Sequence, residues 1–452
     1  MKRIYHILLL TSFALTSCIQ DEKDIFDISA SERIVKAMNE YRELLTSAEN
    51  GWLMEYYPED NQKIGGYTMI AKFTADGNVA LSCETETFVP ARQVEVSEWD
   101  IFVEQSVVLS FSTYNRVIHY FCNPSTADVD GMDSDYEFIF FEGDHDRIVM
   151  KGKKHGNKVT MRRNTSDFDA NEYYSQVAQM ADVVSEYGQF LLYIKGDSIG
   201  NALITDRTLN LRYPVAITDN TFETKTKVLS YTFTPTGIRL YEPFTMNGTT
   251  MENFVWNASA ERYDCTDSGA DAYLKAFYPD NFQLRYSQFL GRWKMEYFGA
   301  GVYTPTAPRS SVEVELTLRR KNASFLMINE EFFSFAGIEF LYNSTDGTLS
   351  FVNYNGGVNY IDNRNNVYVM TAAVSEGSSG YAYYTNLNPY GFNGEWNRDR
   401  EKPVITLKTN GRYPTANAII LRLFAPDGTN VGTFSGNAGG SRFVNIVLTK
   451  ID

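Results

Sequence analysis

Trp52-Leu-Met-Glu-Tyr-Tyr57 is written a second time in this chain as Trp293-Lys-Met-Glu-Tyr-Phe298. Each copy follows a glycine, Gly51 and Gly291, and a looser third version, Phe190-Leu-Leu-Tyr-Ile194, follows Gly188. Read with a period of two, each copy puts its large apolar side chains on one face: Trp52, Met54 and Tyr56; Phe190, Leu192 and Ile194; Trp293, Met295 and Tyr297. Successive side chains of an extended chain point to opposite sides, so this pattern predicts a strand with one buried face. The repeat therefore predicts three β units, each led in by a helical or compact segment that stops at a glycine.

What precedes each copy supports the division. Residues 29–49 read as a helix: Ser29-x-x-Glu32 is a capping box, and Ile34, Val35, Met38, Tyr41, Leu44, Leu45 and Ala48 recur at helical spacing before Asn50-Gly51. Residues 169–187 repeat the stripe with Tyr173, Tyr174, Val177, Met180, Ala181, Val184 and Tyr187, and Gly188 ends it. A shorter helix is expected from Ala272 to Tyr278-Pro279. Between these segments short apolar-alternating runs are separated by turn signals such as Asp76-Gly77 and Thr234-Pro-Thr-Gly237. The run Val117 to Phe121 reads as one such strand.

The expected fold is thus mainly β with a few helices (α+β): successive antiparallel sandwich or barrel-like units, each preceded by a helix. The expected boundaries are a leader at 1–17, an acidic tether at 18–28, a first helix and β unit at 29–165, a smaller one at 166–270 and a last β unit at 271–452. Gly291-x-Trp293 on the first strand of the last unit resembles the lipocalin start, where the Trp plugs the bottom of a barrel. That makes a lipocalin-like barrel one option there, beside an open sandwich.

The charge balance is −15, and loss of Lys2 and Arg3 with a leader takes it to −17. A surface this acidic repels nucleic acid and anionic headgroups, so no nucleic-acid partner is expected. The first residues have the order of a secretory leader: Met1-Lys-Arg, an apolar run from Ile4 to Leu15 too short to span a bilayer, then Leu15-Thr-Ser-Cys18. The ending resembles a bacterial lipobox, which implies acylation of Cys18 and a lipid anchor. Ile19-Gln-Asp-Glu-Lys-Asp24 resembles the acidic tag that sends lipoproteins of Bacteroidota-type bacteria to the outer face of the outer membrane. Of the remaining thiols, Cys83 and Cys122 are the natural disulfide pair, Cys265 is left over, and separately buried thiols are the alternative.

Catalytic signatures are missing. Past the leader only His119, His145 and His155 are available as bases, and there is no Gly-x-Ser-x-Gly elbow, His-Glu-x-x-His or phosphate loop. No catalytic residue is assigned, and Glu55 and Glu296 read as architecture, repeated on the face opposite the apolar set. Asp128, Asp130, Asp133 and Asp135 form the densest acidic loop and are the candidate ligands for Ca²⁺, although the spacing departs from a calcium loop. A solvated turn is the plainer reading, and no other cofactor is expected. The last unit holds aromatic, Asn- and Gly-rich stretches, and Tyr354, Tyr360, Tyr384, Tyr390, Phe392 and Trp396 are its candidate ligand-binding residues. Such rings offer rigid amphipathic area, and the Asn amides offer donors and acceptors, a mix suited to a glycan or peptide.

Taken with the lipobox and Gly51-Trp52, the stretches Phe111-Ser-Thr-Tyr-Asn-Arg-Val-Ile-His-Tyr-Phe121 and Asp135-Tyr-Glu-Phe-Ile139 resemble an uncharacterised family of Bacteroidales surface lipoproteins. The resemblance implies an accessory capture role beside an outer-membrane nutrient importer. The expected function is therefore a surface-exposed outer-membrane lipoprotein that binds a glycan or peptide for uptake. One alternative is a secreted hydrolase such as a glycosidase, which needs two carboxylates roughly 5–9.5 Å apart in one pocket. The other is a fimbria-like structural subunit, which needs an unpaired strand edge.

Overall fold

The computed structural model describes residues 29–451, apart from 59–63, 85–92, 125–130, 206, 219–220, 300–311, 322–323, 329–337, 353–357, 362–363, 365, 377–381, 384–390 and 435–441. The leader and tether, with Cys18, lie outside the described residues. By internal contact the chain divides near residue 171, with the first barrel in one compact unit and the second barrel and C-terminal sheet in the other.

Helix α1 (Ala30–Thr46) opens the first unit. Its capping box is intact: the Ser29 hydroxyl accepts from the Glu32 amide and the Glu32 carboxylate accepts from the Ser29 amide. The helix stops at Thr46 with Ser47 as its C-cap, short of the expected 49, and Gly51 (φ +73) turns the chain into the first strand, where a Cβ would stand 2.8 Å from the Ala71 carbonyl oxygen. Eight strands follow: β1 (Trp52–Tyr56), β2 (Tyr67–Phe73), β3 (Asn78–Cys83), β4 (Glu95–Val103), β5 (Val107–Phe111), β6 (Glu137–Gly143), β7 (Arg147–Gly152) and β8 (Lys158–Arg163). Each pairs antiparallel with the next and β8 returns to β1, which closes the barrel. Closure leaves no free edge and gives every strand a buried and a solvent face, as the alternation in β1 requires.

The two ends of this barrel are plugged differently. At one, Leu45 and Ala48 of the helix end sit over Trp52, whose indole donates to the Leu45 carbonyl at 2.9 Å. At the other, the run expected to be a strand is instead helix α2 (Arg116–His119) followed by a 3₁₀ turn, Tyr120–Cys122. Val117, Ile118 and Phe121, one helical face, fill the barrel mouth with no exposed surface. A short apolar run suits a strand or a helix equally, and here the open barrel end decided.

Helix α3 (Ala170–Tyr187) leads into a second closed barrel: β9 (Gln189–Ile194), β10 (Asp197–Thr205), β11 (Thr208–Thr218), β12 (Thr221–Thr234), β13 (Gly237–Met246), β14 (Thr249–Asn257), β15 (Arg262–Cys265) and β16 (Ala272–Ala276). The segment from Ala272, expected as a helix, is the strand that closes this barrel against β9. Its alternation of buried Ala272 and Leu274 with half-buried neighbours fits the pleat. At the α3 end Tyr187 packs near Phe190, Trp256 and Tyr278.

A short helix, α4 (Tyr286–Phe289), precedes the last unit, whose strands are β17 (Gly291–Phe298), β18 (Val312–Lys321), β19 (Ser324–Ile328), β20 (Ile338–Asn343), β21 (Thr348–Val352), β22 (Val358–Ile361), β23 (Val367–Ser375), β24 (Ala382–Tyr383), β25 (Gly391–Trp396), β26 (Val404–Thr409), β27 (Ala418–Phe424), β28 (Asn430–Thr433) and β29 (Arg442–Lys450). Pairing runs from β17 through β21 to β25, β26 and β29, and β29 also pairs with β17, so the sheet turns back on itself. The far half of β29 pairs with β27, which carries the sheet outward to β23 and β22. The chain is mainly β, in successive barrel-like units with few helices.

The repeated stretch occupies like settings. Trp52, Met54 and Tyr56, Phe190, Leu192 and Ile194, and Trp293, Met295 and Tyr297 are all buried in the cores of their own sheets. Glu55, on the opposite parity, lies 3.8 Å from the Arg162 guanidinium.

Candidate functional site

The two stretches that carry the family resemblance, 111–121 and 135–139, meet at one rim of the first barrel. Asn115 starts the construction. It is fully buried, its side-chain oxygen caps α2 by accepting from the Val117 amide at 3.0 Å, and its side-chain nitrogen donates to Ser97 Oγ at 3.1 Å. Arg116 adds a second tie to β4, its amide and Nε donating to the Glu95 carboxylate at 2.7 and 2.8 Å. One helical turn later His119 faces the rim, its Nδ1 lying 3.2 Å from the amide and carbonyl of Asn115.

On this scaffold three rings stand in a row. Tyr114 and His119 have centroids 5.2 Å apart, and His119 and Tyr136 are stacked at 4.7 Å with planes 28° apart. Tyr114 is 60 % exposed and Tyr136 41 %, so the outer rings face solvent while burial lowers the His119 pKa and keeps its imidazole neutral. The Tyr114 hydroxyl accepts from Asn123 Nδ2 at 2.8 Å. The row offers π faces with hydroxyl and amide tips, suited to stacking on a flat, weakly polar ligand.

Tyr136 is fixed from behind by Asp135. The Asp135 carboxylate, 5 % exposed, accepts from the Lys154 and His155 amides at 2.9 and 2.8 Å, and its carbonyl accepts from the Tyr56 hydroxyl at 3.0 Å. A Cβ on Gly152 would stand 2.1 Å from that carboxylate, so the β7–β8 turn needs glycine there. Asp135 is thus occupied by backbone donors, and Asp133 lies 3.7 Å from His155 Nδ1. Asp128 and Asp130 lie outside the described residues. Among the described residues no three or more His, Cys, Asp or Glu side chains gather to hold a metal ion.

Cys83 and Cys122, the expected disulfide pair, are free thiols, as is Cys265. Burial, reinforced by the nearby Asp135 charge, pushes the Cys122 thiol up to about 12. Burial likewise pushes Cys265 up to about 11, with its Sγ 3.3 Å from Asp267 Oδ2.

Of the aromatic residues singled out in the last unit, Phe392 and Trp396 are the two whose side chains are described, and both pack on the core of that sheet. Phe392 is buried in the core 6.4 Å from Phe351. Trp396, four residues along the same strand and thus roughly 13 Å away, is half-buried, with its indole on the Asp399 carbonyl and Arg400 over its ring. Tyr360 lies in β22, and Tyr354, Tyr384 and Tyr390 lie outside the described residues. The Tyr114–His119–Tyr136 row was missed as a site because its members are spread over 23 positions; the family-like stretches around them were the available signal.

No curated protein matches the sequence. Among solved structures, transferrin-binding protein B of Haemophilus parasuis is 8 % identical, with 86 % of this chain and 66 % of that chain covered and a TM-score of 0.13. The β chain of DNA polymerase III from Streptococcus pneumoniae is 9 % identical, with 88 % and 98 % covered and a TM-score of 0.11. Scores this low carry no argument about fold or function. Family comparison is firmer. Residues 266–421 match a domain of unknown function, DUF4987, and residues 22–258, just over half of the chain, match the domain of unknown function DUF4302. The chain belongs to the DUF4302 family.

Proposed function

We propose that this chain is an outer-membrane lipoprotein, anchored through Cys18 and exposed at the cell surface, that captures a glycan for a nutrient-uptake system. The observation that carries the ligand reading is the solvent-facing row Tyr114–His119–Tyr136, with the Asn123 amide beside Tyr114. Sugar rings present apolar C–H faces and peripheral hydroxyls, which stacked tyrosines and amides complement without strong charge. The anchoring rests on the leader and Leu15-Thr-Ser-Cys18, and the uptake context on the resemblance to surface lipoproteins.

The test is a binding screen of the chain from Ser29 onward against glycans and, for comparison, peptides. Tyr114→Ala with Tyr136→Ala should weaken the best glycan about tenfold, as loss of two ring contacts worth roughly 0.5–1.5 kcal/mol each requires. Undiminished binding by that variant, or peptide binding alone, overturns the glycan reading. Palmitate labelling lost in Cys18→Ala tests the anchor separately.

A further inference from the structure

Strands β11 and β12 run past the rim of the second barrel. β11 pairs with β10 only over Thr208–Arg212, and β12 pairs with β13 only over Tyr231–Thr234, yet the two stay paired with each other up to Thr218 and Thr221. Their outer part is a two-stranded ribbon exposed on both faces, with Phe222 63 %, Ile217 60 % and Val228 40 % exposed. The Tyr231 amide donates to the Arg207 carbonyl on the β11 side. Odd-numbered residues of β12 therefore turn their backbone groups towards β11, and Phe222, Thr224, Thr226 and Val228 turn theirs outward to an edge with no strand on it among the described residues. Such an edge is a template for another strand.

The side chains along that edge are self-complementary. Glu223, Lys225 and Lys227 share one face, with Glu223 and Lys225 3.1 Å apart, and Phe222, Thr224, Thr226 and Val228 share the other. We propose that the occupant is a second copy of this chain, paired antiparallel through β12 about a two-fold axis at Thr224. In that register Thr224 meets Thr224 and Phe222 meets Thr226 of the other copy as hydrogen-bonded pairs. Glu223 meets Lys225 twice in the closer, non-hydrogen-bonded positions, giving alternating charges, and Phe222 reaches Val228 diagonally. A register centred on Lys225 would pair Glu223 with Lys227 but oppose Lys225 to Lys225 at the axis, where like charges directly opposite are destabilising. The interface is isologous and closes at two copies. One strand pair is small beside a standard interface, so the dimer is concentration-dependent.

Sedimentation velocity on the chain from Ser29 onward, over a wide concentration range, reads the state. The parent should shift from monomer to dimer. Thr224→Pro, which removes the outward N–H at the axis, should stay monomeric with unchanged circular dichroism. Glu223→Lys and Lys225→Glu should each be monomeric through like-charge opposition, while an equimolar mixture of the two should form heterodimers, and the double exchange should dimerise like the parent. A parent that stays monomeric, single variants that dimerise as the parent does, or a mixture that fails to associate overturns the proposal. Monomers that instead bind an extended acidic peptide along β12 also overturn it.

Discussion

Trp52 and Trp293 hold the same position in two different sheets. Each indole donates to a main-chain carbonyl of the helix before it, Leu45 at 2.9 Å and Phe289 at 2.7 Å. Each ring also lies beneath a cation from its cross-strand partner on the last strand of that sheet. Arg163 stands 4.6 Å above Trp52 and Lys450 stands 5.2 Å above Trp293. The second barrel has Phe190 at this place, opposite Ala276, so neither the N–H nor the cation is needed. The echo in sequence is therefore an echo of one device that seats a helix on the first strand of a barrel.

Loss of that device should be measurable. Trp52→Phe keeps most of the buried ring but leaves the Leu45 carbonyl unpaired, and should destabilise the first unit by about 1–3 kcal/mol. Trp52→Ala should cost about 3–5 kcal/mol through the cavity it opens. Urea denaturation followed by tryptophan fluorescence and circular dichroism checks both, and equal stability of parent and Trp52→Ala would contradict the assigned role.

Asp135 is expected to hold the ring row without touching a ligand. Asp135→Ala strips the acceptor from two backbone amides and should cost about 1–3 kcal/mol. It should also weaken glycan binding, whereas Asp135→Asn, which keeps one acceptor oxygen, should recover part of both. Thermal melts and titration of the variants read the two effects side by side.

His119 gives the first unit a pH dependence of known sign. Burial holds its folded pKa below the ordinary 6.5, so folding favours the neutral ring. Its contribution is complete above about 6.5 and is lost as pH falls through the folded value. Stability measured from pH 7.5 to pH 5 should decline in the parent, and His119→Asn should flatten that decline.

The thiols should be slow to react while the protein is folded. With Cys122 raised to about 12 and Cys265 to about 11, thiolate is scarce near neutral pH, and Cys83 is buried. Alkylation of the chain from Ser29 onward should modify little in the native state and all three cysteines once it is denatured. A deficit of two thiols in the denatured chain that reductant restores would instead reveal a disulfide.

Read by itself, the sequence settled which faces of the leading strands are buried and where the first helix begins. Trp52, Met54 and Tyr56 alternate and Ser29 caps, and each of these is a property of neighbouring residues. It also placed the three sheet starts, because one stretch was written twice and approximated once. Only the tertiary structure decided that the sheets close, that Val117–Phe121 plugs a barrel as a helical turn, that Ala272–Ala276 is a closing strand, and that Tyr114, His119 and Tyr136 share one rim. Periodicity states that a side chain needs cover but not which distant strand supplies it, and a five-residue apolar run satisfies either period. Those choices were made by the space left open when the strands came together.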